Sequence, residues 1–505
     1  MLYSLKDIDR ASEAFEEAVL ISIGRRADGI HHLVRSIQTV LSPTGQSTQT
    51  AAQQHLQPLL LPPEKARETA RLVFSESGEL PGLAYVSEGA PKRAASQTTS
   101  NSLLSLAKIF QDAMSSGASA PGVLPRPSGV GDILALYYLS LSLQESPSTA
   151  NNVGILLAGV QQASSSPTAI GIDSTSQLGI PGIPPGSGLA LALAYYKYGL
   201  QLDPKHVHLH TNLGSLLKDI GQLDLAIQMY EQAVSCDGTF DIALTNLANA
   251  VKDRGRINDA IMYYRRAVKS NPEFAEAVCG LLTALNSVCD WRGRGGVFLE
   301  FGRLDRWHVD DDGGLVDAQA YRRGSGLAKR VVDIVGQQLQ EASHWGYNVL
   351  QEDVVRAVAQ QLSDFGDMTM DDVCGWLRRW RGKTWEGSRL LRLVERATRV
   401  MLRKWYHQRG SPGTTRPRRY TRLRLPTNLA VPSAPTVLPF HTFTCPLGPK
   451  DIRAISQRNA LRISCSTLRS PWVPTDLYPP PPPPQPHLNI GYVSSDFNNH
   501  PLAHL

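Results

Sequence analysis

Residues 206–238 read HVHLHTNLGSLLKDIGQLDLAIQMYEQAVSCDG and residues 241–273 read DIALTNLANAVKDRGRINDAIMYYRRAVKSNPE; with Val207 set on Asp241 the two superpose at a constant offset of 34 residues. Leu213 falls on Leu247, Gly214 on Ala248, Gly221 on Gly255, Ala226 on Ala260, Tyr230 on Tyr264 and Ala233 on Ala267. Small residues at 214, 226, 233, 248, 260 and 267 let two helices approach closely, and Leu and Tyr fill the space between them. The pattern continues outward. Ala192, Tyr196 and Pro204 lie 34 residues before Ala226, Tyr230 and Gly238, so they mark the second helix of an earlier unit. Its first helix is NNVGILLAGV, with Gly154 one period plus a 26-residue insertion before Gly214. The inserted stretch, 161–187, is rich in Ser, Gly and Pro and is expected to be disordered. NSLLSLAKIFQDAM and DILALYYLSLSLQ give a further interrupted pair. Downstream, FAEAVCGLLTALNSVCDW supplies another first helix, with Leu281 in register with Leu247.

The period, the L-G/A then G then A-x-x-x-Y-x-x-A signature and the closing Pro272 resemble the tetratricopeptide repeat, a helix pair that buries its apolar faces only by stacking on its neighbours. The expected organisation is helical with degenerate repeats and disordered loops over 1–130, repeats over 131–289, a helical insertion and basic linker over 290–430, and a separate region over 431–505. The chain is thus mainly α, a solenoid followed by helices and one terminal strand. Asn212 and Asn246 share a repeat position, one residue before the packing Leu, and Gly280 follows them. Spacing alone leaves two readings open: a ladder that bonds the backbone of an extended peptide, or polar surface beside a core Leu.

Composition narrows the class. The excess of 51 Lys and Arg over 45 Asp and Glu gives +6, which does not by itself argue for a nucleic-acid partner. Six cysteines without a C-x-x-C pair indicate neither a zinc site nor a disulfide scaffold. The charged N-terminus MLYSLKDIDR is no signal peptide, and no apolar run approaches a membrane span, so a cytoplasmic and nuclear location without a membrane partner is expected.

Residues 330–365 carry an amphipathic helix pattern, and in 388–408 Leu390, Leu391, Val394, Ala397, Met401 and Trp405 recur on one helical face, which reads as core. The arginines from Arg403 to Arg424 read as a solvated linker, because the segment shows neither a helix pattern nor the aromatic spacing of a stacking platform. Six prolines at 479–484 form a stiff spacer. Behind them Leu488, Ile490, Tyr492 and Val493 predict a strand, and Ser494 to Pro501 a turn that carries His500 past its end, where open α/β sheets bind ligands.

Three segments, VCDW (288–291), LPFHTFTCPL (438–447) and GYVSSDFNNHPLAHL (491–505), taken with the repeats, resemble the protein O-linked N-acetylglucosaminyltransferase family in a fungal-like form. The resemblance implies that the terminal strand opens a Rossmann-like GT-B catalytic lobe. It implies inverting transfer of N-acetylglucosamine from UDP-GlcNAc to Ser or Thr of intracellular proteins, without a metal or other cofactor. It also places His500 at the catalytic centre, His504 and His441 near substrate, and Asn212 and Asn246 in an acceptor-binding ladder in the repeat groove. The family's donor lobe would follow Leu505, so this chain alone is expected to be inactive. Two rivals stand beside this reading: a repeat-containing binding adaptor without catalysis, and an RNA-binding protein using Arg403 to Arg424.

Overall fold

The computed structural model describes residues 8–24, 29–41, 60–75, 77–116, 129–160, 183–184, 186–292, 298–299, 303–304, 307–309, 315–317, 326–363, 369–409, 420–438, 444–445, 447–470, 472–479 and 491. These residues are mainly helical. The chain begins with α1 (Ile8–Ser22), α2 (Gly29–Leu41), the short α3 (Pro63–Ala66) and α4 (Thr69–Val73), and the long α5 (Ala90–Ser116). Then come α6 (Val130–Leu143), α7 (Pro147–Ala158), α8 (Gly188–Leu202), α9 (Val207–Asp219), α10 (Leu223–Cys236), α11 (Asp241–Asp253), α12 (Ile257–Ser270) and α13 (Ala275–Ser287). Two antiparallel hairpins follow, β1 (Phe298–Leu299) with β2 (Arg303–Leu304) and β3 (Trp307–Val309) with β4 (Leu315–Asp317). Last are α14 (Gly326–Ser343), α15 (Glu352–Ser363), α16 (Met370–Trp380), α17 (Glu386–Arg409) and α18 (Pro449–Arg469). Two compact units emerge: Met1–Gln337 with Pro435–Ile455, and Gln338–Ala434 with Ser456–Leu505.

In the first unit, helices pair as the 34-residue offset requires: α9 with α10, α11 with α12, and, across the insertions, α5 with α6 and α7 with α8. The pairs α9–α10 and α11–α12 each turn on a glycine whose identity is dictated by the backbone. Gly221 and Gly255 sit at φ +81° and +84°, a region open to residues without a Cβ. Around them Gln222 N–H donates to Leu217 O at 2.8 Å and Arg256 N–H to Val251 O at 2.9 Å, the closure that satisfies the last carbonyls of α9 and α11. Between the helices of a pair the buried tyrosine acts as a wedge. A Cβ on Gly214 would lie 2.7 Å from Tyr230 Cε1, and one on Gly154 2.3 Å from Tyr196 Cε1. Where Ala248 replaces that glycine, the ring of Tyr264 lies against the next unit instead, 2.4 Å from where a Cβ on Gly280 would stand.

The start of α9 holds a titratable cap. His206 Nδ1 accepts the Leu209 N–H at 3.2 Å, which requires the unprotonated nitrogen. Burial, then the neighbouring His208, hold its pKa below the ordinary histidine value; Asp203 opposes them, and His210 adds a weaker push downward. Between the depressed folded value and the ordinary one the unfolded chain binds the extra proton, so stability is complete above about pH 6.5 and falls as the pH drops through it. His206→Ser caps without titrating. Its melting temperature is expected to fall less than that of the parent chain between pH 7.5 and 5.5; equal falls in scanning calorimetry would remove His206 from the account.

Three sequence expectations for 290–430 are corrected. The helix expected across 330–365 is two helices, α14 and α15, because Gly346 at φ +71° and Asn348 at φ +57° turn the chain between them. The 290–430 region, expected to be helical, also contains the two hairpins, which lie between residues 298 and 317 and are too short to show a period. The expected basic linker is structured at both ends: Arg403 to Arg409 belong to α17, and Thr421 bridges Asp476. The core expectation for 388–408 holds, with Leu390, Leu391, Val394, Met401 and Trp405 buried and Ala397 packed beside them. The strand expected at 488–493 lies outside the described residues except for Gly491, which is exposed and irregular, so nothing described supports a Rossmann-like lobe. Of the insertion expected to be disordered over 161–187, residues 161–182 and 185 lie outside the described residues, and Ser187 caps α8 by accepting the Ala190 N–H at 3.2 Å. Among the described residues no helix is long and apolar enough to cross a membrane.

Candidate peptide-binding face of the repeats

On the first helix of each unit, positions spaced i, i+4, i+7 and i+11 share one side. In α9 these are His208, Asn212, Ser215 and Asp219; in α11 they are Ile242, Asn246, Asn249 and Asp253. All eight are partly or fully exposed, whereas Leu209, Leu213, Leu216 and Leu217, and Leu244, Leu247 and Val251, face the core. The helix period thus separates a polar stripe from a packing stripe. Neighbouring first helices are tied together: Asn212 Nδ2 donates to Asn151 Oδ1 at 2.8 Å, and Lys218 Nζ pairs with Asp253 Oδ2 at 2.9 Å. The tyrosine wedge contributes, with Tyr230 Oη donating to Ser215 Oγ at 3.1 Å and Tyr264 Oη to Asn249 Oδ1.

Asn152 was missed by the sequence reading. It stands 60 residues before Asn212, the same one-period-plus-insertion step that relates Gly154 to Gly214, and is half-buried on α7. The signal was present in NNVG but hidden by the interruption. At Gly280 on α13 the series stops, and Tyr264 occupies the space a side chain would need.

The VCDW junction is a helix stop. Cys289 takes φ +55° and Asp290 N–H donates back to Leu285 O at 3.0 Å, which closes α13. The Asp290 carboxyl is held well below the usual range, chiefly by hydrogen bonding from Arg292. It lines an open cleft of about 780 Å³ with Ile261, Met262, Arg265 and Cys289. The 438–447 segment touches the same helix end, since Asn286 Nδ2, two residues before VCDW, donates to Thr444 Oγ1 at 3.0 Å. The buried thiol of Cys279, on the same helix, is pushed up to about 12 by burial and by Cys445, which keeps it unreactive. His441, His500 and His504 all lie outside the described residues, so the structure brings none of them to a site. Among the described residues no group of three His, Cys, Asp or Glu is placed to hold a metal ion.

Residues 207–239 and 242–271 match tetratricopeptide-repeat family models, so the chain contains tetratricopeptide repeats and the pairs α9–α10 and α11–α12 are units of that kind. No curated protein matches the chain by sequence. Among solved structures, Pseudomonas aeruginosa PilF is similar at 11% identity over 39% of this chain and 71% of that one, with a TM-score of 0.29. MamA from Desulfovibrio magneticus RS-1 is similar at 19% identity over 36% and 86%, with a TM-score of 0.25. YrrB, described as a TPR protein with an unusual peptide-binding site, is similar at 12% identity over 38% and 78%, with a TM-score of 0.25.

Proposed function

We propose that the chain is a protein-binding scaffold whose repeat face holds an extended peptide by its backbone. The observation that carries this reading is the register of Asn212 and Asn246, with Asn152 one unit before them, on the exposed side of successive first helices. A side-chain amide both donates and accepts, as a peptide backbone does, so paired bonds form whatever the peptide's sequence. Packed helices stand about 8–10 Å apart and an extended chain advances about 3.3 Å per residue, so one asparagine meets roughly every third residue. Such a face favours unstructured segments over folded surfaces.

The test is fluorescence anisotropy with a labelled, unstructured Ser/Thr-rich peptide of about nine residues, enough to span three units. Asn212→Ala with Asn246→Ala removes two sets of bonds, each worth about 1 kcal/mol, and is expected to weaken binding roughly thirtyfold with helical circular dichroism intact. Unchanged affinity would sink the ladder.

A second reading is favoured by the three family-like segments alone. In it the bound peptide is an acceptor for N-acetylglucosamine from UDP-GlcNAc, with His500 taking the hydroxyl proton as a group that titrates near neutral pH. Transfer of radiolabelled sugar that disappears in His500→Ala would favour this reading. Peptide binding without transfer favours the scaffold.

A further inference from the structure

The second unit carries a charge that the whole chain conceals. Gln338–Ala434 and Ser456–Leu505 together hold 20 Lys and Arg against 11 Asp and Glu, leaving 31 against 34 for the rest of the chain. Within this unit the fold joins two stretches that lie about fifty residues apart in sequence. Arg422 N–H donates to Thr475 O at 2.7 Å and Leu477 N–H to Tyr420 O at 2.9 Å, with Thr421 and Asp476 bridged antiparallel between them. The pairing is anchored to the core, because the Tyr420 ring packs on Trp405 of α17 at 5.0 Å between centroids.

At the two ends of the second stretch stand large aromatic residues that the core does not use. Trp472 and Tyr478 are each 73% exposed, an exposure that sets them apart from the unit's packed Trp405. Between them lie two guanidinium groups: Arg422 Nε donates to Pro474 O at 3.1 Å and Arg424 Nη2 to Thr475 Oγ1 at 3.3 Å. Each contact occupies a small part of a group with five N–H donors, so both arginines keep donors for a ligand. Arg396 and Arg403, exposed on α17, strengthen the positive field of the unit.

We propose that this edge, Trp472 and Tyr478 flanking Arg422 and Arg424, binds single-stranded nucleic acid, with bases stacked on the two rings and phosphates held by the arginines. Solvent-exposed rings within a basic surface are the two elements of sequence-tolerant single-strand binding. Duplex bases are already stacked and offer the rings nothing. An acidic peptide would use the arginines but leave both rings in water, and the charge is therefore the less selective half of the surface.

The full chain is titrated with a fluorescein-labelled single-stranded oligouridylate and, in parallel, with polyglutamate. Trp472→Ala with Tyr478→Ala is expected to weaken oligouridylate binding about a hundredfold, near tenfold per ring, with an unchanged melting temperature because both rings are exposed. Arg422→Gln with Arg424→Gln is expected to reduce the slope of log affinity against log salt by about 1.4, two phosphates at roughly 0.7 each. Loss of both effects, or no binding of oligouridylate at low salt, overturns the proposal. So does binding that depends on the arginines alone and is matched by polyglutamate, which would make the edge an acidic-peptide surface.

Discussion

Glu386→Ala is expected to unfold the second unit at ordinary temperature or bring it close to that point. The Glu386 side chain is fully buried and accepts three backbone N–H bonds: from Asn348 at 2.9 Å and Gly382 at 2.8 Å on Oε2, and from Leu350 at 2.8 Å on Oε1. It is also the first residue of α17, where a carboxylate meets the positive end of the helix dipole. These bonds hold a strained turn. Asn348 at φ +57° and Trp385 at φ +68° both adopt a backbone that side chains disfavour, at a cost of about 1–3 kcal/mol each. Truncation strands three donors in a buried site, and each orphan costs about 1–3 kcal/mol, so the sum is on the order of 5 kcal/mol. Domain stabilities are of the same size. Glu386→Gln keeps an acceptor on one side only and should fall between the two. Six of the eight tryptophans lie in this unit, so fluorescence in a urea titration reports on it directly. A midpoint unchanged from the parent would show that the carboxylate is not what holds the turn.

None of this was legible in the sequence, and the reason is distance. W-G-Y-N at 345–348 looks like an uneventful stretch of amphipathic helix until a carboxylate almost forty residues away organises its amides. The same holds for Trp472 and Tyr478, whose relation to Arg422 and Arg424 exists only through a backbone pairing. The repeats were legible because their contacts are local and recur: Gly214 with Tyr230, and the glycine turns at 221 and 255, sit at fixed offsets that the chain spells twice. Interruption is what weakened the signal. Asn152 escaped notice because the insertion that separates α7 from α8 displaces its register, although the helices pair as if nothing intervened. The family-like histidines carry sequence information of another kind, a motif without described structure around it.

The tyrosine wedge yields the second large effect and explains why the asparagine series ends where it does. Tyr264 is fully buried, and Tyr264→Ala should cost about 3–5 kcal/mol, as for other large aromatic truncations. The ring leans toward Gly280 because Ala248 takes the place that Gly214 leaves open beside Tyr230. Its hydroxyl is held there by Asn249 and Lys252, so it has little freedom to retreat. Gly280→Asn, the change that extends the polar series by one unit, therefore places a Cβ 2.4 Å from Cε1 and 2.6 Å from Cζ of that ring. Overpacking of this kind costs about 1–3 kcal/mol, and the substitution should destabilise the solenoid rather than improve peptide binding. With the ring removed, the clash disappears and the side chain introduced by Gly280→Asn enters space that Tyr264→Ala has vacated. The two changes should then be strongly non-additive, with a coupling of about 1–3 kcal/mol. Urea denaturation of the parent, the two single variants and the double variant, followed at the helical circular dichroism band, measures that coupling. Simple additivity would mean that the ring and the glycine do not share the site, and that another constraint ends the asparagine series at 280.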